Sequence, residues 1–444
     1  MGFVIPSSKS KRYLSGQDWV INVLDYMMKA STCAGNMSQV VLTLNSVIDD
    51  TSVRECLSKF IKEFPVVYGN IARDYNLTPY WRIPKNVKGD LNFNVYNLKN
   101  QENVLSLLEK SINKPFKGSN EHLAFHLIHT EGKQSFLAMT FDHCLFDARG
   151  AESFLNLFQQ YLAEKNNFSF TKGIHLTAPA FLSQWMEKFY AGRNVNRKII
   201  ALSKPVPEAL PLPSGKNRGF KFKLVSFNLK ETEEIYNNAY SEAGYLMEMP
   251  YLLSVTIQSV HELFKKKGIT EPNYLIPVNI DMRNSDDIGQ ELFFNHVSYL
   301  FFKINKDAMV SLKGLIRSIQ QQMYEQIKSG LPDDISKASL LTRIAPLHVL
   351  EKIFRLPFKG KIASFCFSHL GKSSYLFPEF MGIGIKNIFH MPRVPVPPGL
   401  GFFFNYFNGQ LNLVISYLEE LIKDDEILML ETDIKERLRV CQTQ

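Results

Sequence analysis

A cluster of prolines, Pro205, Pro207, Pro211 and Pro213, closed by Ser214-Gly215, interrupts the chain near the middle of its 444 residues. Proline cannot donate into a helix or a central strand, so such a run reads as a linker and not as a packed element. Length asks for the same division, because a single hydrophobic core rarely grows past ~250–300 residues. We therefore expect an α/β protein of two lobes, 1–193 and 219–444, joined by a linker over 194–218. Each lobe is expected to be a mixed β-sheet flanked by helices.

Before the break, Gln17–Ala30 has apolar residues at helical spacing and Gln39–Leu44 reads as a strand. Asp50 and Thr51 can cap a helix running to Glu63, and Val66–Ala72 reads as the next strand. His122–Thr130 and Gln134–Phe141 are apolar strands joined by the short turn Glu131-Gly132-Lys133, and Gly150–Ala163 returns to helical spacing. After the break the pattern restarts: strand Phe220–Phe227, helices Glu231–Gly244 and Leu252–Lys267, then strands Tyr274–Ile280 and Val297–Ile304. A helix over Met309–Lys328 and a run of strands from Ile362 to Tyr417 follow, with a crossover to the first lobe expected within 362–417. Asp424–Val440 reads as an exposed helix.

Composition narrows the function. Apolar residues make up 45% and charged residues 21%, the balance of a globular protein with a large aromatic core built from 34 Phe and 18 Tyr. The net charge of +8 is modest and spread out, which suits an anionic small partner or an acidic protein. Nucleic acid is set aside, since there is no basic stripe, zinc spacing or recognition-helix pattern. Lys265-Lys266-Lys267 reads as a solvated helix end, where cations favour the dipole. Five cysteines without a CxxC argue against a disulfide framework or a zinc site and fit a reducing compartment. No stretch reaches the ~18 apolar residues of a membrane span, and Pro6 spoils a myristoylation pattern at Met1-Gly2. A monomer in the cytoplasm is the expectation.

The stretch that carries chemistry is Met139–Leu155, MTFDHCLFDARGAESFL. It holds His143, Asp147 four residues on, and then Gly150. An apolar strand delivers the histidine, a tight turn follows, and an amphipathic helix begins at once. Catalytic groups are often displayed on such strand-end loops. A neutral imidazole there suits proton abstraction near neutral pH.

In this stretch the chain resembles the HxxxD acyltransferase superfamily of chloramphenicol acetyltransferases, nonribosomal-peptide condensation domains and alcohol acyltransferases. The resemblance extends to Asn36–Leu44, Phe60–Arg73, Pro277–Arg283 with Gly289 and Asn295–Ser298, Phe367–Gly371 and Gly399–Tyr417. It implies two acetyltransferase-like lobes with an active-site tunnel between them. It further implies a phosphopantetheine thioester donor entering from one side and an acceptor from the other. His143 would be the general base, and Asp147 a carboxylate paired with Arg283, shaping the loop together with Gly150. Asn295, Ser298 and Ser368, polar and at strand ends, are candidate tunnel or oxyanion groups. The chain departs from the pattern at Asp142, where a second histidine often stands, and at Ala148, where glycine is usual. The turn would then be made by Ala148-Arg149-Gly150.

The implied activity is acyl transfer from coenzyme A to an alcohol. The co-substrate is coenzyme A or another phosphopantetheine thioester, with no permanently bound cofactor and no metal. Alternatives are a condensation enzyme fed by an acyl or peptidyl carrier protein, making an amide or ester, and a non-catalytic docking protein of the same fold. His122, His126 and His129 are not read as a metal site, because His126 and His129 point to opposite sides of a strand. Cys144 reads as a packed thiol and His296 and His369 as core or lining residues. Gly371-Lys372-Ser373 lacks the earlier glycine of a phosphate loop, Cys366 standing in its place. Phe402-Phe403-Phe404 reads as a buried strand.

Overall fold

The computed structural model describes residues 11–85, 90–164, 185–215, 217–283 and 291–440. Gly289, the Met1-Gly2 terminus and Cys441 lie outside the described residues. Two six-stranded mixed sheets form the frame. The first runs, in spatial order, Glu379–Phe380, Ile383–Pro392, Met37–Leu44, Ser135–Asp142, Leu123–Thr130, Asn92–Leu98. Its strands are antiparallel except the last pair. The second runs Val297–Ile304, Tyr274–Asp281, Cys366–Lys372, Leu400–Phe407, Gln410–Leu418, Phe220–Ser226, with Cys366–Lys372 parallel to both neighbours. A small sheet of Lys11–Tyr13, Pro79–Arg82 and Asn70–Arg73 sits beside them.

The Met37–Leu44 strand is buried along its whole length. Because side chains alternate, Val40 and Leu42 enter one apolar core while Val41 enters the other, so the first sheet is covered on both faces. One core is aromatic: Phe64, Phe146 and Phe154 pack around Phe293, which comes from the second half of the chain, and Phe60 and Phe158 extend the cluster behind them. The crossover strand Ile383–Pro392, with the short Glu379–Phe380 paired to it, lies against Met37–Leu44, though Cys366–Lys372 before them and Leu400–Phe407 after them belong to the second sheet.

Several elements differ from their sequence reading. Val66–Ala72 is a 3-10 turn over Pro65–Tyr68 and then a strand from Asn70, since Pro65 cannot donate and starts a turn instead. The stretch from Asn194 to Leu202 is the second half of the helix Trp185–Leu202, so the irregular connection begins only at Ser203. That helix packs on Leu331–Thr342, and Asn194 Nδ2 donates to Asp334. The helices Leu331–Thr342 and Leu347–Arg355 were not anticipated. The terminal helix Asp424–Arg439 is not simply exposed: Ile427, Leu430, Ile434 and Leu438 are buried. Lys266 and Lys267 pair with its Asp425 and Glu426.

Candidate active site

The strand Ser135–Asp142 ends on the first-lobe side of the seam between the sheets, and the next residues turn sharply into the helix Ala148–Glu164. Leu145 N–H donates to Asp142 O, closing the turn, and His143 N–H donates to Asn36 O at 2.9 Å. The helix starts at Ala148 because Asp147 caps it: its Oδ1 accepts from Gly150 N–H at 2.8 Å and its carbonyl from Ala151 N–H. Ala148, Arg149 and Gly150 are thus the first turn of a helix and not the loop expected for them. Gly150 is there for space, because a Cβ would sit 2.2 Å from Leu292 O.

Leu292 belongs to a second-lobe segment that tracks the His143 loop residue by residue. Phe294 N–H donates to Leu145 O at 2.6 Å, and His296 N–H donates to Asp147 Oδ2 at 3.0 Å. Arg283 completes the clasp: its Nη2 reaches both Asp147 oxygens at 2.8 Å, its Nη1 reaches Asp281, and its Nε donates to Glu291 O. Both side chains of the Arg283–Asp147 pair are sealed from solvent. Burial alone would push the Asp147 carboxyl up, but the Arg283 guanidinium, the His296 ring and the His296 and Gly150 amides outweigh it and hold it below the usual carboxylate range. Arg149 extends the clasp by pairing with Asp281 and donating to the Leu370 carbonyl.

Asn295 defines the state of the imidazole. Its Nδ2 donates to the His143 carbonyl at 2.9 Å, and its Oδ1 lies 3.1 Å from His143 Nδ1. A carbonyl only accepts, so the amide end facing it is the NH2 and the end facing the ring is the oxygen. That oxygen needs a donor, which puts a proton on Nδ1, so that in the neutral ring the lone pair is the one on Nε2. The ring is only partly buried.

The remaining candidates are placed differently. Asn295, expected as an oxyanion donor, is engaged with His143 itself. Ser298 is fully buried and donates to Pro332 O at 2.8 Å, because its strand turns that face toward the helix Leu331–Thr342. Ser368 lies on the Cys366–Lys372 strand opposite Phe403, and among the described residues no hydrogen bond joins it to the His143 loop. Asp142 faces away from His143, with Oδ1 accepting from Cys144 N–H and Oδ2 3.3 Å from His122 Nδ1. Burial pushes its carboxyl up, but the His122 ring and Lys29 bring it down to about 2. Cys144 is buried, its thiol directed at Asn22 Oδ1 and pushed well above its ordinary range by burial. His126 stacks on Tyr96, while His129 Nδ1 meets Ser135 Oγ. Among the described residues no cluster of His, Cys, Asp or Glu could hold a metal ion, and no helix is long and apolar enough to cross a membrane. Sequence reading missed Asn36, Arg149 and the Asn295 contact; nothing local marks residues 152 positions apart as partners.

No family model matches the chain, and no curated protein sequence matches it. Solved structures do. The TRI3 trichothecene 15-O-acetyltransferase from Fusarium sporotrichioides superimposes with a TM-score of 0.70 at 13% identity, over 97% of this chain and 95% of that one. The first condensation domain of the calcium-dependent antibiotic synthetase gives 0.70 at 10% identity, over 97% and 96%. The EpoB cyclization-docking bidomain from Sorangium cellulosum gives 0.68 at 12% identity, over 98% and 85%. The chain therefore has the two-lobed fold shared by condensation domains and this acetyltransferase.

Proposed function

We propose that this chain is an acyltransferase that moves an acyl group from a phosphopantetheine thioester, acyl-coenzyme A in the first instance, to an alcohol, with His143 as general base. The observation that carries the reading is the Asn295 carboxamide, whose oxygen takes the Nδ1 proton of a part-exposed imidazole and leaves Nε2 as the nitrogen free to act as the base. A hydroxyl is a poor nucleophile until its proton has somewhere to go. In this reading Nε2 takes that proton as the oxygen attacks the thioester carbonyl. The tetrahedral intermediate then expels the thiolate, which recovers the proton from Nε2, leaving ester and free thiol. Asp147 and Arg283 keep the loop in shape without touching the substrate. Ser368 is our candidate donor to the oxyanion, since Asn295 and Ser298 are bonded elsewhere. A monomer in a reducing cytoplasm is part of the proposal, and Cys33, Cys56, Cys144 and Cys366 are free thiols.

The test is thiol release from acyl-coenzyme A on addition of alcohols. It should depend on the alcohol and fall ~10²–10⁴-fold in kcat in His143→Ala. The fold shared with condensation domains supports a second reading, in which the donor rides on a carrier protein and an amine can be the acceptor. Turnover with an acylated carrier protein but not with coenzyme A thioesters would select it. If His143→Ala leaves every measurable function intact, the docking role is selected.

A further inference from the structure

The carboxamide that holds His143 is itself carried on an unfavourable backbone. Phe294, just before Asn295, has φ +73°, a region bulky side chains avoid unless their surroundings impose it. Two hydrogen bonds grip this stretch from either side. Phe294 N–H donates to Leu145 O, and Asn295 N–H donates to Asp18 Oδ1 at 3.0 Å. Asp18 is completely buried, and its second oxygen accepts from the Arg12 guanidinium and from Ser15 N–H. The Arg12 guanidinium also stands over the Phe294 ring, its carbon 3.7 Å from the centroid. The pair therefore holds the ring before the strained link and the amide after it.

Neither requirement of the local fold accounts for this. Asp18 closes the capping box of the helix Gly16–Ser31 with Oδ2 alone, which leaves Oδ1 for Asn295. Nor is stability a sufficient reason, since buried ion pairs are often no better than apolar residues of the same volume.

We infer that the buried Arg12–Asp18 pair is a positioning element for His143. By pinning the Phe294–Asn295 link, it keeps the Asn295 carboxamide on the imidazole and so keeps the proton on Nδ1. Among the described residues neither member bonds to His143 itself. The inference rests on His143 being the base for its consequence in turnover, but not for its consequence in the ring.

Nitrogen NMR of the whole protein labelled with 15N-histidine reads the tautomer with no substrate present. The His143 signals are those lost in His143→Ala. The wild type should show a single form with Nδ1 protonated. Asp18→Asn keeps the shape of the side chain but removes the charge, and should show a mixture of both tautomers. Its kcat for acyl transfer should fall about 10²-fold with little change in KM, the usual cost of a small misplacement. Glu152→Gln breaks an equally buried pair with His390 (2.8 Å) that has no bond to Asn295, and should leave the His143 signals unmoved. If Asp18→Asn does not fold, Arg12→Lys supplies the same reading, because a compact ammonium does not reproduce the planar guanidinium that meets both Phe294 and Asp18. A single Nδ1-protonated form in both variants overturns the inference. Turnover that survives His143→Ala overturns the base instead, and leaves the tautomer result standing.

Discussion

Asp147 serves three partners at once: the helix it caps through Gly150, the His296 amide, and the Arg283 guanidinium. Removing Arg283 strands a sealed carboxylate, so Arg283→Ala should cost about 3–5 kcal/mol by denaturant unfolding. Asp147→Ala should cost a similar amount, and the double variant much less than the sum; additive costs would refute the pairing. The same carboxyl is held below its usual range, so its contribution is present above the unfolded value of about 3.9 and lost as pH falls through the folded one. Two histidines act earlier in the titration. Burial brings both His126 and His369 down to about 4. Between about 6.5, the unfolded value, and about 4 the unfolded chain binds protons that the folded one does not, so stability falls with falling pH in that window. His126→Phe keeps the stack on Tyr96 and should flatten part of that slope; an unchanged slope would mean His126 is open to protonation in the fold.

The start of the helix Ala148–Glu164 is where the chain departs from the usual pattern of the superfamily it resembles. Position 148 needs no glycine here, since it is an ordinary first-turn residue. Ala148→Gly should cost no more than about 1 kcal/mol, the entropy of an added helix glycine. Gly150→Ala should cost considerably more and lower any activity that depends on His143, because the Cβ meets the Leu292 carbonyl, a backbone atom of the segment that clasps the His143 loop. A Gly150→Ala variant as stable as Ala148→Gly would mean that the lobes part easily at this point. These contacts also explain what sequence could and could not reveal. The run from Phe136 through His143 to Phe158 was legible because strand, turn and helix each leave a local period, and the Arg283–Asp147 pair was named through resemblance. Local period is silent on which distant backbone meets that turn, so Asn295 and Ser298 read only as polar strand-end candidates for the tunnel or the oxyanion, and their bonds to His143 and Pro332 have no local signal. Asn194–Leu202 reads as linker because it leads into the proline run from Pro205; its helix packs on a neighbour far away in sequence. Pro332 and Pro346 stand at the starts of the helices Leu331–Thr342 and Leu347–Arg355, where a residue without an N–H costs nothing.

At the scale of the whole chain, the crossover strand ties the two sheets into one unit. Ile383–Pro392 pairs along Met37–Leu44 in the first sheet, while Cys366–Lys372 before it and Leu400–Phe407 after it are neighbours in the second. Unfolding of the second sheet must pull on a strand that covers the edge of a wholly buried one, and the bared edge of Met37–Leu44 would have no partner for its backbone groups. Phe293, deep in the aromatic core of the first lobe, makes the same demand from the side-chain direction. The lobes should therefore unfold together despite their separate sheets. The three tryptophans make this measurable, because Trp19, Trp81 and Trp185 all lie in the first half. Trp19 and Trp81 are buried in the aromatic core of the first lobe and dominate the fluorescence change, Trp185 being exposed, whereas far-ultraviolet circular dichroism follows helices and strands of both lobes. In urea the two signals should trace one superimposable transition, and Arg283→Ala should move both midpoints equally. Fluorescence and dichroism that separate would mean the second sheet can melt while Ile383–Pro392 stays docked, and the His143 loop would then keep its shape without the second-lobe segment that grips it.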